Sequence, residues 1–166
     1  MKLRSNIEPA TAIQQYLRVV IDITKDSTDN PHSLEGILLA HGRSFIPQAR
    51  PAGVPKMTDK ECFNNAWQLC ERHPEYRYVE GYATSEIPIP LLHAWCIDAQ
   101  DRVIDPTWPD PANYTYFGLV LDPMFCRKRL LATQYYGILP NLWLANGIEE
   151  LREILGIGAD VAEVAA

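Results

Sequence analysis

The sequence predicts an α+β domain in which an antiparallel sheet packs against helices. Segments with helical spacing of apolar residues come first, a run of strand-like segments follows, and helical segments return at the end. The strand-like segments are joined by short connections, which favours antiparallel pairing over a parallel, doubly wound sheet. With 166 residues, no internal repeat and no linker, the chain is expected to form one domain, residues 1–166.

The N-terminal part, residues 1–57, is predicted to contain helices and a loop. Apolar residues have helical spacing over Pro9–Thr24, and Ser33 is expected to begin a second helix that ends near Ala40. The segment 41–57 contains three prolines and two glycines. It is therefore predicted to be a long loop, which could cover a cleft.

The central part, residues 58–122, begins with a predicted helix. Thr58 and Glu61 have the spacing of a capping box, which predicts a helix from about residue 59 to Arg72. This register places Cys62 in the first helical turn. Unpaired backbone N–H groups and the positive end of the helix dipole favour a thiolate there.

Four strand-like segments complete the central part: "YRYVEGYAT", "LLHAWCID", "RVIDPTW" and "YTYFGLVL". The second and third are expected to pair as antiparallel neighbours. If odd positions pair with odd positions, His93 and Asp105 share a face and lie within reach of each other. A carboxylate beside an imidazole fixes its tautomer and supports the imidazolium.

The C-terminal part, residues 123–155, is predicted to be helical. Pro123 opens one predicted helix, and "NGIEELREIL" forms the last one. Residues 156–166 are expected to be a frayed tail.

Cys62, His93 and Asp105 form a candidate set of nucleophile, base and orienting acid. Cys62 at a helix start, followed by "YVEGYA", "HAW" and "VIDPTW", resembles the transglutaminase-like core of the papain-like cysteine superfamily, over roughly residues 58–108. Small bacterial or phage proteins carry this core. The resemblance implies a papain-like fold with residues 58–122 as catalytic core and a Cys-His-Asp triad. It also implies a cysteine hydrolase or acyltransferase that forms a thioester acyl-enzyme, namely a protease, deamidase, amidase or acyl-transfer enzyme.

A papain-like site also needs donors for an oxyanion. The backbone N–H of Cys62 is one candidate, and the side chain of Gln48 is the candidate for the second. Asn64 and Asn65 are alternatives. Trp95 and Trp108 are expected to pack on the sheet, and one of them could form a wall of the cleft.

The composition limits the classes of partner that the protein is expected to bind. The net charge is −6, and the densest basic run, Arg127–Arg129, is short, so a nucleic-acid partner is not expected. No secretory leader and no apolar run of about 18 residues is present, so the protein is expected to be cytoplasmic, without a membrane partner and with its cysteines reduced. The expected partner is a protein, peptide or small amide substrate.

Two other functions remain open at this stage. The chain could be a non-catalytic binding or assembly module that retains the fold. It could also bind a metal through Cys62, His93 and Asp105, although no CxxC pair is present and no metal or cofactor is expected.

Overall fold

The computed structural model describes residues 9–24, 33–85, 87, 89–144, 150–151 and 155. Within them the helices are α1 (Pro9–Thr24), α2 (Leu34–His41), α3 (Cys62–Arg72) and α4 (Pro123–Thr133). The strands are β1 (Arg43–Phe45), β2 (Arg77–Thr84), β3 (Leu91–Ile97), β4 (Val103–Ile104) and β5 (Thr115–Val120). Short 3₁₀ helices span Pro111–Asn113 and Leu139–Leu144.

The five strands form one sheet in the order β1-β5-β2-β3-β4, with antiparallel pairing between neighbours. The sheet curls until its two edges meet. Just after β1, the Ile46 N–H donates to the carbonyl of Asp101 (3.0 Å), and the Ile46 carbonyl accepts from the N–H of Val103 (2.8 Å). The predicted α+β class with an antiparallel sheet is confirmed.

The two faces of the sheet bury different clusters of side chains. The outer face packs against the helices, where Ile13, Leu38 and Ala66 have no exposed surface. The inner face buries a smaller apolar cluster made of Phe45, Val79, Ala83, Trp95, Ile97, Val103 and Tyr116. Because side chains alternate along β3, His93 shares the inner face with Trp95.

Two glycines permit close packing at the centre of the curl. Gly81 of β2 and Gly118 of β5 are directly paired. A Cβ atom on Gly118 would lie 2.4 Å from the carbonyl oxygen of Glu80 and 2.9 Å from Cη2 of Trp95. A side chain at this position would therefore displace the indole of Trp95 and the neighbouring strand.

A buried carboxylate holds the chain after α4 against the outer face of the sheet. Glu80 has no exposed surface and accepts hydrogen bonds from the hydroxyl of Tyr78 (2.7 Å) and from the N–H groups of Ile138 and Leu139 (2.7 Å each). Burial raises the pKa of Glu80 to about 7, although these hydrogen bonds act in the opposite direction.

The predicted helices over Pro9–Thr24 and from Pro123 are confirmed, and Ser33 caps α2 by accepting a hydrogen bond from the N–H of Gly36 (3.1 Å). The prediction of a loop throughout 41–57 is wrong at β1, because pairing with β5 gives this short segment a strand conformation that its composition does not indicate. Most of the last predicted helix and all of 156–166 lie outside the described residues.

None of the helices in the described ranges is both long and apolar enough to cross a membrane.

We expect Glu80→Gln to flatten the pH dependence of stability. The pKa of Glu80 is higher in the folded state, about 7, than its ordinary value of 4.5, so the folded state binds the proton more tightly. The free energy of unfolding therefore falls as pH rises from about 4.5 through 7. Urea denaturation measures the free energy of unfolding. Between pH 5 and pH 8 this free energy should fall by about 2 to 3 kcal/mol more in wild type than in Glu80→Gln.

The exposed Glu75→Gln provides the matched control, which should follow wild type. Parallel pH profiles for wild type and Glu80→Gln would contradict the assignment of this proton to Glu80.

Candidate active site

Helix α3 begins at Cys62, three residues later than the sequence predicted. The predicted capping box is wrong, because Lys60 has a left-handed backbone conformation (φ 66°) that interrupts the helical path between Thr58 and Cys62. Glu61 takes the N-cap position, and its side chain makes no capping hydrogen bond. Cys62 is thus the first residue of the helix.

The late start leaves the N-terminus of α3 without a side-chain cap. The first hydrogen bond of the helix runs from the N–H of Asn65 to the carbonyl of Glu61 (2.8 Å). The N–H groups of Cys62, Phe63 and Asn64 precede this bond and have no partner within the helix. These donors and the positive end of the helix dipole therefore lie beside the Cys62 thiol, where they favour a negative charge.

Asn65 fixes the position of this helix end. Its side-chain amide donates to the carbonyl of Thr58 (2.7 Å) and to the hydroxyl of Thr107 (3.0 Å). Asn64 instead donates to the carboxylate of Glu61 (3.0 Å) and accepts from Gln68 (2.7 Å). Both N–H groups of the Asn65 amide therefore hold the start of the helix and the segment after β4, whereas the Asn64 amide bonds to residues of the helix and its N-cap.

His93 and Asp105 meet on the inner face of the sheet. β4 pairs Cys96 with Ile104 and Ile97 with Val103, which is the odd-with-odd pairing under which the sequence places His93 and Asp105 on one face. Asp105 follows β4 directly, and its Oδ2 lies 2.7 Å from Nε2 of His93. β4 ends at Ile104, which pairs with Cys96, so His93 lies three residues before the part of β3 that pairs with β4.

The Asp105 carboxylate is fully buried and fully partnered. Its Oδ1 accepts hydrogen bonds from the N–H groups of Thr107 (2.8 Å) and Trp108 (3.1 Å). Its Oδ2 accepts from the hydroxyl of Tyr116 (3.0 Å) as well as facing His93. Burial acts to raise the pKa of Asp105, but the charge of His93 and these hydrogen bonds outweigh it, so the pKa is lowered.

The imidazole of His93 has the opposite shift. Burial acts to lower its pKa, but the charge and hydrogen bond of Asp105, with a smaller effect of the Cys62 thiol, raise the pKa to about 9. Since Nε2 faces Asp105, Nδ1 is the ring nitrogen left for the thiol. The arrangement therefore favours an imidazolium at neutral pH, with Cys62 half-buried beside it.

The two candidate tryptophans have different positions. Trp108 is half-buried and stacks on His93, with ring centroids 4.1 Å apart and planes inclined by 20°. Trp95 has no exposed surface and belongs to the inner cluster. Trp108 is thus the residue that forms a wall over the imidazole, and Trp95 packs the sheet beneath it.

Gln48 lies in the loop that follows the edge of the sheet after Ile46. It lines a surface depression of about 560 Å³ together with residues that include Tyr76, Asp98 and Ile104. Its amide nitrogen is buried and has no hydrogen-bond partner in the described part of the chain. Cys62, His93 and Asp105 do not line this depression.

Sequence reasoning missed Tyr116 and the contact between Asn65 and Thr107. Both depend on pairs of residues that are distant in the chain, and no local pattern marks either. Among the described residues, no group of three or more His, Cys, Asp or Glu side chains has the arrangement of a metal site.

No protein-family model, no curated protein and no solved structure matches the chain.

We expect Tyr116→Phe to destabilise the protein by about 1.5 to 3 kcal/mol, the usual range for a hydrogen bond to a charged group. The substitution removes one of the donors to the buried Asp105 carboxylate and changes little else in shape. Urea denaturation of the variant measures the effect. The exposed Tyr135→Phe is the control, and an equal effect of both changes would mean that the Tyr116 hydroxyl does not support Asp105.

Proposed function

We propose that the protein is a cysteine-dependent hydrolase or transferase of amide or acyl groups. Cys62 is the nucleophile, His93 is the proton-transfer group, and Asp105 orients His93. The observation that supports the proposal most directly is the 2.7 Å contact between Nε2 of His93 and Oδ2 of Asp105, which leaves Nδ1 of the same imidazole for the Cys62 thiol.

The proposed reaction starts from the ion pair in which Cys62 has lost its proton and His93 is the imidazolium. The thiolate attacks the substrate carbonyl carbon, a carbon–sulfur bond forms, and the carbonyl oxygen takes up negative charge. The N–H groups at the start of α3 are the available donors to that oxygen. His93 then donates its proton to the leaving amine as the bond to the carbonyl carbon breaks, which leaves a thioester on Cys62.

The second half of the reaction releases the acyl group. Water attacking the thioester gives hydrolysis, as in a protease, deamidase or amidase, and an amine gives acyl transfer. In either case His93 accepts the proton of the attacking group, and Cys62 leaves as the thiolate. Water and an amine could both reach the thioester, because Cys62 is only half-buried. The imidazole is covered by the stacked ring of Trp108.

The fold we propose is the transglutaminase-like core of the papain-like superfamily. A helix that begins with the candidate nucleophile, packed on an antiparallel sheet with His93 and Asp105 on neighbouring segments, supports this assignment. So do the motifs "HAW" and "DPT" in this order. A protein, peptide or small amide substrate and a cytoplasmic location form part of the same proposal.

An activated aryl ester tests the nucleophile. We expect Cys62 to become acylated, with a burst of released phenol and an acyl group found by mass spectrometry on the peptide that contains Cys62. Cys62→Ala should abolish the burst and change the free energy of unfolding by no more than about 1 to 2 kcal/mol. His93→Ala should slow both acylation and alkylation by iodoacetamide, because no imidazolium then supports the thiolate.

Cys70→Ala is the matched control, since Cys70 is also half-buried and lies on the same helix. It should leave the burst intact. If Cys62 and Cys70 are modified at equal rates and His93→Ala changes neither, the enzyme proposal fails and a non-catalytic binding module becomes the better interpretation.

The pKa of His93 also predicts how turnover depends on pH. The leaving amine of an anilide substrate needs a proton from the imidazolium, so turnover should fall as pH rises through about 9. Asp105→Asn removes the charge that raises this pKa, so the alkaline limit should move to lower pH, with a decrease in rate of up to about 10⁴-fold. Rate profiles from pH 5 to pH 10 measure both effects, and an unchanged alkaline limit in Asp105→Asn would contradict the role of Asp105.

A further inference from the structure

Two cysteines outside the candidate active site face each other between α3 and β3. Cys70 lies near the end of the helix and is half-buried, whereas Cys96 lies on the outer face of the strand and has no exposed surface. Their sulfur atoms are 2.7 Å apart. The Cys96 sulfur also lies 3.2 Å from the carbonyl oxygen of Ala66, one turn earlier in the helix. Both thiols are therefore positioned by packed secondary structure.

We propose that Cys70 and Cys96 are a site of reversible disulfide formation that cross-links α3 to β3. A disulfide requires the sulfurs to approach to about 2.05 Å, and only a small shift from the present separation achieves this. The inference does not rest on the chemistry of Cys62, because neither sulfur belongs to the candidate triad.

A small-molecule disulfide such as oxidised glutathione is the oxidant that this site would use. The partly exposed Cys70 thiolate attacks one sulfur of the reagent, forms a mixed disulfide and releases the first thiolate. Cys96 then loses its proton and attacks the Cys70 sulfur, which forms the protein disulfide and releases the second thiolate. Two protein thiols are oxidised, and one molecule of the reagent is reduced to two thiols.

The different exposure of the two cysteines sets the order of these steps. Burial, followed by the hydrogen bond with Cys70, raises the pKa of the Cys96 thiol, so Cys96 has little thiolate and no access to the reagent. Cys70 is the sulfur that the reagent can reach. Once Cys70 carries the mixed disulfide, Cys96 is the neighbouring thiol in contact with it.

The cross-link would join the two elements that carry Cys62 and His93. Cys70 lies about 12 Å along the helix from Cys62, at about 1.5 Å per residue, so the disulfide leaves the Cys62 sulfur uncovered. The disulfide would close a loop of about 27 residues. This loop restricts the conformations of the unfolded chain and so stabilises the folded state. The result is a fixed helix beneath an accessible thiol.

The full-length Cys62→Ala protein tests the proposal, because it removes the other half-buried thiol. After incubation with oxidised glutathione, we expect the intact mass to fall by two hydrogen atoms. Trypsin should release residues 61–72 linked to residues 78–102. The melting temperature should rise by roughly 6 to 12 °C and return to its starting value with dithiothreitol.

Cys62→Ala/Cys70→Ser is the matched control, because it removes the partly exposed member of the pair and leaves the buried Cys96 and Cys126 in place. It should form no cross-link and gain no thermal stability. The proposal is overturned if glutathione remains on Cys70 as a mixed disulfide, if Cys126 is the linked residue, or if the cross-link forms without raising the melting temperature.

Discussion

The carboxylate of Asp105 has no exposed surface and lies where the end of β4, the inner face of the sheet and the start of α3 converge. Removing a charge from water is costly unless the protein replaces the lost hydrogen bonds. Here the replacement comes from separate parts of the chain: His93 from β3, Tyr116 from β5, and the N–H groups of the turn that contains Thr107. Tyr116 is separated from Asp105 by two strands in the order of the sheet and reaches it because the sheet curls. One of the hydrogen bonds to the buried charge therefore depends on the curl.

The same carboxylate determines the charge of His93, the imidazole nearest to the start of α3. The charge and hydrogen bond of Asp105 raise the pKa of His93 to about 9, against the effect of burial. Asn65 keeps this helix end in place through its bond to Thr107, which is two residues after Asp105. The turn after β4 thus orients the imidazole on one side and the helix on the other, so the distance between Cys62 and His93 depends on one short segment.

The sequence was sufficient for features that depend on local periodicity. The approximate bounds of α1 follow from the spacing of its apolar residues, and the start of α4 follows from Pro123. The shared face of His93 and Asp105 follows from the alternation of side chains, given the odd-with-odd pairing that the structure shows. Local patterns failed where a distant contact decides the outcome. Lys60 interrupts the predicted helix start, and pairing with β5 makes a strand of Arg43–Phe45 within the predicted loop. The strand at Arg43–Phe45 could not be derived without knowing which strands become neighbours.

A second buried carboxylate shows that complete burial alone does not decide whether a carboxylate keeps its charge. Glu80 is as fully buried as Asp105 and also accepts several hydrogen bonds, yet its pKa is raised to about 7 while that of Asp105 is lowered. The partners of Glu80 are neutral: a phenol and two backbone N–H groups. Asp105 has the imidazolium of His93, and an adjacent opposite charge offsets desolvation more strongly than neutral dipoles do. Glu80 can therefore lose its charge near neutral pH and still hold the chain after α4, whereas Asp105 keeps the charge that His93 needs.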